Sequence, residues 1–292
     1  MAGSKVKIWV GLGAYVLASG AGTALAQTSD ADYSLHGKHG VQMAQAATHG
    51  GHGGEGGEGG EGGEGGEGGE AGESQALAGL SKEQAYLANI SMIRGHLNVG
   101  NELYAAGKTN DALPHFLHPV EELYGELKEV MDEKKVPAFK SDLDKLSGMV
   151  KRKVPAQQVQ EQTEVVLTRL TEATSVIPAN TLSDPAFALP VVVGVLRTVT
   201  DEYTEAFEGD TIANPVEYQD SLGFARVANA MVELMTPALT TKDADAANQL
   251  REQMNTLLTT WPAVTPAKKA VRSASEVSAL VSRIEFATAR LR

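Results

Sequence analysis

The sequence predicts an all-α protein, an antiparallel bundle of about seven to eight helices that follows a disordered segment rich in Gly, Glu and His. Three observations lead to this prediction. Apolar residues recur at helical spacings from Ser81 onward, prolines separate the periodic segments, and sustained apolar/polar alternation between hairpin turns is absent. We therefore expect one helical domain at 81–292, which could consist of two sub-bundles at 81–177 and 184–292.

Residues 1–26 have the features of a cleavable signal peptide. Lys5 and Lys7 precede an apolar run, and Ala24-Leu25-Ala26 matches the A-x-A pattern that signal peptidases read. The pattern predicts cleavage after Ala26 and a location in the periplasm. No later segment reaches ~18 consecutive apolar residues, so we expect no stable membrane span in the mature chain.

Residues 27–80 form a low-complexity segment that we expect to be disordered. Gly, Glu and His dominate its composition, and a Glu-Gly-Gly repeat runs from Glu55 to Glu70. Ordering glycine is entropically costly, and evenly spaced glutamates repel one another. The imidazoles could collect divalent cations loosely, whereas the alternative is a solvated spacer. The histidines of this segment are His36, His39, His49 and His52.

The helical elements can be placed in order along the remaining chain. Ser81 and Gln84 form a predicted capping box at the start of the first helix, which Gly107 ends. The second helix is predicted to begin after Asn110 and to run to about Lys134, with a kink at Pro119. Further helices are predicted at about 137–152, 155–176, 184–207, 215–239, 243–260 and 273–291.

Composition excludes several classes of function. The formal net charge of −12 disfavours nucleic acid as a partner, because an acidic surface repels phosphate backbones. The chain has no cysteine, which excludes disulfides, thiolate metal sites and iron–sulfur clusters. The sequence also lacks a catalytic triad pattern, a phosphate-binding loop and a nucleophile elbow, so it does not predict an enzyme.

Three histidines on the first two helices predict a metal site. His115 and His118 lie one helical turn apart, and the first helix can bring His96 back against them. Imidazole and carboxylate ligands without sulfur suit iron, with copper or zinc as alternatives. The alternative interpretation is a set of buried histidines, each satisfied by a hydrogen bond, beside a solvated acidic face. The predicted metal ligands are His96, His115, His118, Glu102, Glu121 and Glu122.

An acidic stretch at 201–220 is a second region of interest. Several carboxylates crowd a predicted helix C-terminus, where the helix dipole disfavours negative charge, and this indicates a cation or a partner. The next helix has a structural explanation, with Asn214 as N-cap, Pro215 at its first position and Glu217 completing a capping box. We therefore interpret Glu217 as structural, and the role of Asp220 stays open.

Two short segments carry a resemblance to known families. His115-Phe-Leu-His-Pro-Val-Glu-Glu122 and Glu217-Tyr-Gln-Asp-Ser-Leu-Gly-Phe224 resemble helical periplasmic domains associated with bacterial high-affinity iron permeases. The chain is also distantly similar to imelysin-like periplasmic metal-binding proteins, whose H-x-x-E mark is matched here by His118 and Glu121. These resemblances imply periplasmic handling of iron or another transition metal for an inner-membrane transporter.

The sequence thus predicts a periplasmic protein that binds a transition metal, iron in the first place, and hands it to a transport system. The expected partner is an inner-membrane metal permease or another envelope protein. Histidine ligation predicts that binding weakens as the pH falls through ~6.5. The alternative function is a helical adaptor of the cell envelope that binds another protein and no metal.

Overall fold

The computed structural model describes residues 75–292. The predicted signal peptide and the predicted disordered segment, apart from residues 75–80, lie outside this range, as do the four histidines of that segment. The all-α prediction is confirmed, and the helices begin and end close to the predicted positions. None of these helices is both long and apolar enough to cross a membrane. The helices are α1 (Lys82–Ala105), α2 (Thr109–Ala112), α3 (Pro114–His118), a π-helical turn (Pro119–Leu123), α4 (Tyr124–Lys134), α5 (Lys140–Lys151), α6 (Ala156–Thr174), α7 (Ala179–Leu182), α8 (Pro185–Glu205), α9 (Pro215–Lys242), α10 (Ala244–Leu258) and α11 (Ala274–Ala289).

Between α8 and α9 the structure contains a small antiparallel hairpin that the sequence did not predict. Its strands are β1 (Phe207–Glu208) and β2 (Thr211–Ile212), and Gly209 in the turn has a positive φ of 62°. Two-residue strands are too short to show alternation, which explains why the pattern was missed.

Helix α1 lies at the centre of the molecule. Its predicted capping box is present, since the Gln84 amide donates to Ser81 Oγ and the Ser81 amide donates to Gln84 Oε1. Every residue from Tyr86 to Gly100 is buried, so α1 is covered on all sides. Polar side chains in this stretch, such as His96, must therefore find their partners inside the protein.

The predicted second helix is divided into α2, α3, a π-helical turn and α4. The kink predicted at Pro119 coincides with the start of the π-helical turn, in which the Tyr124 amide donates to the Pro119 carbonyl. Proline has no N–H to donate to the preceding turn, so the regular hydrogen-bond ladder is interrupted there. The wider turn changes the direction of the side chains that follow it. This is the segment that presents Glu122 toward His118.

Helix α9 lies between α8 and α1 and makes its most extensive contacts with them. A single hydrophobic core extends through the helices of both proposed sub-bundles. The short hairpin turns the chain back, so α9 runs antiparallel to α8. Helix α9 contacts both α1 and α3.

The backbones of α1 and α9 meet at a pair of glycines. A Cβ atom added to Gly223 would lie 2.6 Å from the Gly95 carbonyl oxygen, and one added to Gly95 would lie 3.0 Å from the Gly223 carbonyl carbon. Neither position has room for a side chain. The crossing places His96, the residue after Gly95, beside Asp220, one helical turn before Gly223.

Candidate metal centre

The three predicted histidines converge at one place in the core. The ring centroids of His96 and His118 are 5.3 Å apart, those of His96 and His115 are 6.3 Å apart, and those of His115 and His118 are 6.5 Å apart. His96 comes from α1, whereas His115 and His118 come from α3. Their role as metal ligands stays a prediction, but the structure brings them close enough to share an ion.

Asp220 lies at the centre of the three rings. Its Oδ1 atom is 2.6 Å from His96 Nδ1 and 2.8 Å from His115 Nδ1, and its Oδ2 atom is 3.3 Å from His118 Nδ1. The carboxylate is 1% exposed and is held on α9. Sequence reasoning gave Asp220 no role, although it lies within one of the two segments that carry the family resemblance. The structure makes it the residue that connects the three histidines.

His96 is the histidine whose environment most needs a ligand. It is 1% exposed, and neither of its ring nitrogens has a hydrogen-bond partner among residues 75–292. Asp220 Oδ1 is close to Nδ1, but its direction does not meet the requirements of a hydrogen bond. Buried polar atoms are nearly always paired, because leaving one unpaired costs free energy. The Phe224 ring packs edge-on against the imidazole at 4.8 Å and excludes water from that side.

His115 fits the alternative interpretation of a satisfied core histidine better. It is fully buried, and its two nitrogens contact Asp220 Oδ1 and Gln219 Oε1, both at 2.8 Å. These two neighbouring residues of α9 fix the orientation of the ring. His115 could bind an ion only by giving up one of these contacts, so it is better placed to orient Asp220.

His118 and Glu122 form the accessible side of the centre. Their side chains are 20% and 17% exposed, and His118 Nδ1 lies 3.8 Å from Glu122 Oε2. Together with His96 they form a group whose potential ligand atoms all lie within 4.8 Å of one another. An ion could therefore enter from the solvent beside His118 and Glu122 and reach the buried His96 directly.

Two predicted ligands lie outside the groups of potential ligands in the described part of the chain. Glu121 is exposed, whereas Glu122, four residues after His118, lies on the same side of the chain as that histidine. Glu102 forms an ion pair with Arg226, in which Arg226 Nη1 is 2.6 Å from Glu102 Oε2. Sequence spacing could not show which way these two side chains turn.

A second group of potential ligands adjoins the first. Glu202 at the end of α8, Glu217 in the first turn of α9 and Asp220 have carboxylate oxygens within 4.8 Å of one another. The predicted N-cap is present, since the Val216 amide donates to Asn214 Oδ1 at 3.2 Å. The predicted capping box is wrong, because the Asn214 backbone amide donates to the Ala206 carbonyl, and Glu217 instead accepts a hydrogen bond from the Asn214 side-chain Nδ2 at 3.0 Å.

The electrostatics of the centre are dominated by Asp220. Burial alone would raise the pKa of the Asp220 carboxyl, but His96 and His115 hold it well below its usual range. Burial alone would lower the pKa of His118, yet the hydrogen bond and charge of Asp220 raise it to about 9. Burial lowers the pKa of His96 and raises the pKa of Glu122 to about 7. At neutral pH the centre thus holds an ionised Asp220 and a protonated His118.

Comparison with known protein families gives one match, in the C-terminal part of the chain. Residues 178–291 match the iron permease-associated 4-helix bundle domain. The similarity to permease-associated domains that the sequence predicted is confirmed over this range. The imelysin-like mark at His118 and Glu121 precedes the match and stays a prediction. No curated protein and no solved structure matches the chain.

The candidate metal centre lies across the boundary of the permease-associated domain. The four long helices of the match, α8 to α11, supply Asp220, Glu202 and Glu217. The histidines and Glu122 come from the preceding helices. The centre therefore depends on contact between the permease-associated domain and the segment that precedes it.

Because Glu102 is paired with Arg226, we expect Glu102→Gln to leave the affinity for Co²⁺ within about twofold of the parent protein. Loss of this partly exposed ion pair should lower the free energy of unfolding by about 1 kcal/mol or less. Isothermal titration calorimetry and urea unfolding measure the two effects. An affinity loss of more than tenfold would instead make Glu102 a ligand.

Proposed function

We propose that this protein binds a transition-metal ion, iron in the first place, at His96, His118, Glu122 and Asp220, and delivers it to an inner-membrane permease. The observation that carries the proposal is the buried His96, whose ring nitrogens lack hydrogen-bond partners within the described range while they face other potential ligands. Coordination to an ion would satisfy this imidazole without rearranging the core.

The geometry is compatible with such an ion. An ion with bonds of about 2.1 Å holds adjacent ligand atoms about 3 Å apart. The Asp220 carboxylate lies 2.6 Å from His96 Nδ1 and 3.3 Å from His118 Nδ1, so only small movements are needed to admit an ion among them. A set of imidazoles and carboxylates suits Fe²⁺, Zn²⁺ or Cu²⁺, and the permease-associated domain favours iron among these.

We further propose that capture and delivery occur in the periplasm. The signal peptide predicted at residues 1–26 supports export, and the histidines and glutamates of the predicted tail would raise the local metal concentration. The permease-associated domain supports a permease as the recipient. The exposed edge of His118 and Glu122 is the side from which the ion would be transferred.

The direct test is metal binding by the full chain in which the four tail histidines are replaced by alanine. In this background the tail histidines cannot bind metal. Fe²⁺ that is retained after anaerobic loading therefore reports on the helical domain. We expect retention there, and loss of it when His96, His115 and His118 are also changed to alanine. Retention by both proteins, or by neither, would contradict the proposal and favour the adaptor function.

We expect metal affinity to fall as the pH is lowered from 9 to 6. The ion binds neutral imidazole and ionised carboxylate, whereas the pKa values of about 9 for His118 and about 7 for Glu122 mean that protons compete. His118 alone should reduce the apparent affinity by about tenfold per pH unit between pH 9 and 7, with a steeper fall below. This onset is well above the pH of ~6.5 that unperturbed histidines predict.

Calorimetric titration of Co²⁺ in two buffers of different ionisation enthalpy measures this effect. At pH 8 we expect release of about one proton per ion bound, and at pH 6 close to two. An affinity that stayed constant between pH 8.5 and 6.5 would contradict coordination by His118.

A further inference from the structure

We infer that the centre holds two metal ions side by side, bridged by the carboxylate of Asp220. One ion would lie at a nitrogen-rich position formed by His96, His118 and Glu122, and the other at an oxygen-rich position formed by Glu202 and Glu217. This inference rests on the proposed function, because it requires that the centre binds metal at all.

The first argument is that Asp220 belongs to two groups of potential ligands. On one side its oxygens lie 2.6 Å from His96 Nδ1 and 3.3 Å from His118 Nδ1, and on the other it forms a group with Glu202 and Glu217 whose ligand atoms lie within 4.8 Å of one another. A carboxylate has two oxygens and can bind one ion through each. Carboxylate-bridged ions typically lie about 3.5–4 Å apart, which two adjoining groups of this size can accommodate.

The second argument is the burial of the shared residue together with His96. Asp220 and His96 are each 1% exposed, and the imidazole faces the carboxylate at 2.6 Å without a hydrogen bond. A single hydrogen bond in that place would explain the pair as structural. The absence of such a bond in the described part of the chain, beside a second set of carboxylates, favours cation ligation over a purely structural pair.

The two positions should differ in preference. Imidazole ligands favour Fe²⁺, Zn²⁺ or Cu²⁺, whereas carboxylate oxygens favour harder ions such as Mn²⁺. We expect the nitrogen-rich position to fill first and the oxygen-rich position second, with a weaker affinity. The second ion is then the more readily exchanged one.

The test counts ions in the full chain with the tail histidines replaced by alanine. Titration with Co²⁺ should give two ions per chain in this parent protein. The double variant Glu202→Gln/Glu217→Gln should bind one ion, with the affinity of the tighter site changed less than tenfold. The matched control Glu208→Gln/Asp210→Asn removes two exposed charges from the neighbouring hairpin and should still bind two ions.

The results separate this inference from the proposed function. One ion in the parent protein overturns the second position but leaves the proposed function intact, whereas no ion overturns both. Two ions that persist in the double variant overturn the assignment to Glu202 and Glu217. If the double variant fails to fold, electron paramagnetic resonance of the Mn²⁺-loaded parent decides. A spin-coupled pair supports the bridge, and isolated Mn²⁺ signals contradict it.

Discussion

Asp220→Asn is expected to lower the affinity of the centre for Co²⁺ by about 100-fold or more. Asparagine keeps the size of the side chain but removes the charge and one of the two acceptor oxygens that contact three histidines. The same change should lower the pKa of His118 from about 9 toward its usual range, because the hydrogen bond and charge of Asp220 raise it. Calorimetric titration and histidine NMR measure the two effects on one sample.

The control for this variant is Glu121→Gln. Glu121 lies beside Glu122 on the same π-helical turn, but its side chain is exposed and outside the groups of potential ligands. We expect the Co²⁺ affinity of Glu121→Gln to lie within about twofold of the parent protein, since water and salt screen an exposed charge. Equal losses of Co²⁺ affinity in Asp220→Asn and Glu121→Gln would mean that the ion is attracted by the overall negative charge and not bound at a defined centre.

Gly223→Ala is expected to lower the free energy of unfolding by about 3 kcal/mol and to weaken metal binding as well. The added methyl group would lie 2.6 Å from the Gly95 carbonyl oxygen, and both atoms are held on rigid helix backbones. Helices α1 and α9 must therefore move apart, which separates His96 from Asp220. Urea unfolding followed by circular dichroism measures the stability, and Co²⁺ titration measures the effect on the centre.

Gly125→Ala is the matched control for the helix crossing. Gly125 is an exposed residue of α4, and nothing lies within 4 Å of a Cβ atom added there. Alanine in an open helical position should increase stability by about 0.5–1 kcal/mol. If Gly223→Ala changed the free energy of unfolding by less than about 0.5 kcal/mol, this result would contradict the close contact between the α1 and α9 backbones.

The helices were predictable because their signals are local. The capping box of Ser81 and Gln84, the N-cap at Asn214 and the prolines that start or follow helices all act within a few residues. The convergence of the histidines also followed from local reasoning, because a short turn between two helices makes them neighbours. The kink at Pro119 could be predicted in position, but its form as a π-helical turn could not.

The composition of the centre was less predictable because it depends on contacts between distant parts of the chain. Asp220 reaches His96 only through the crossing of α1 and α9 at Gly95 and Gly223, and glycine spacing alone does not show which helices will meet. Glu102 was assigned to the centre for its place on α1, whereas an arginine from α9 engages it instead. Helical periodicity shows which face a residue shares, and long-range packing decides its partner.

The division of ligands between two stretches of chain has a mechanical consequence. The nitrogen donors belong to α1 and α3, whereas the Asp220 carboxylate belongs to α9, within the matched permease-associated domain. An ion bound by both stretches would hold these helices together, and its binding free energy would stabilise their contact. By the same linkage, a protein that moved α9 away from α1 would lower the affinity of the centre for the ion. Under the proposed function, a permease that displaced α9 would therefore release the ion without contacting any of its ligand atoms.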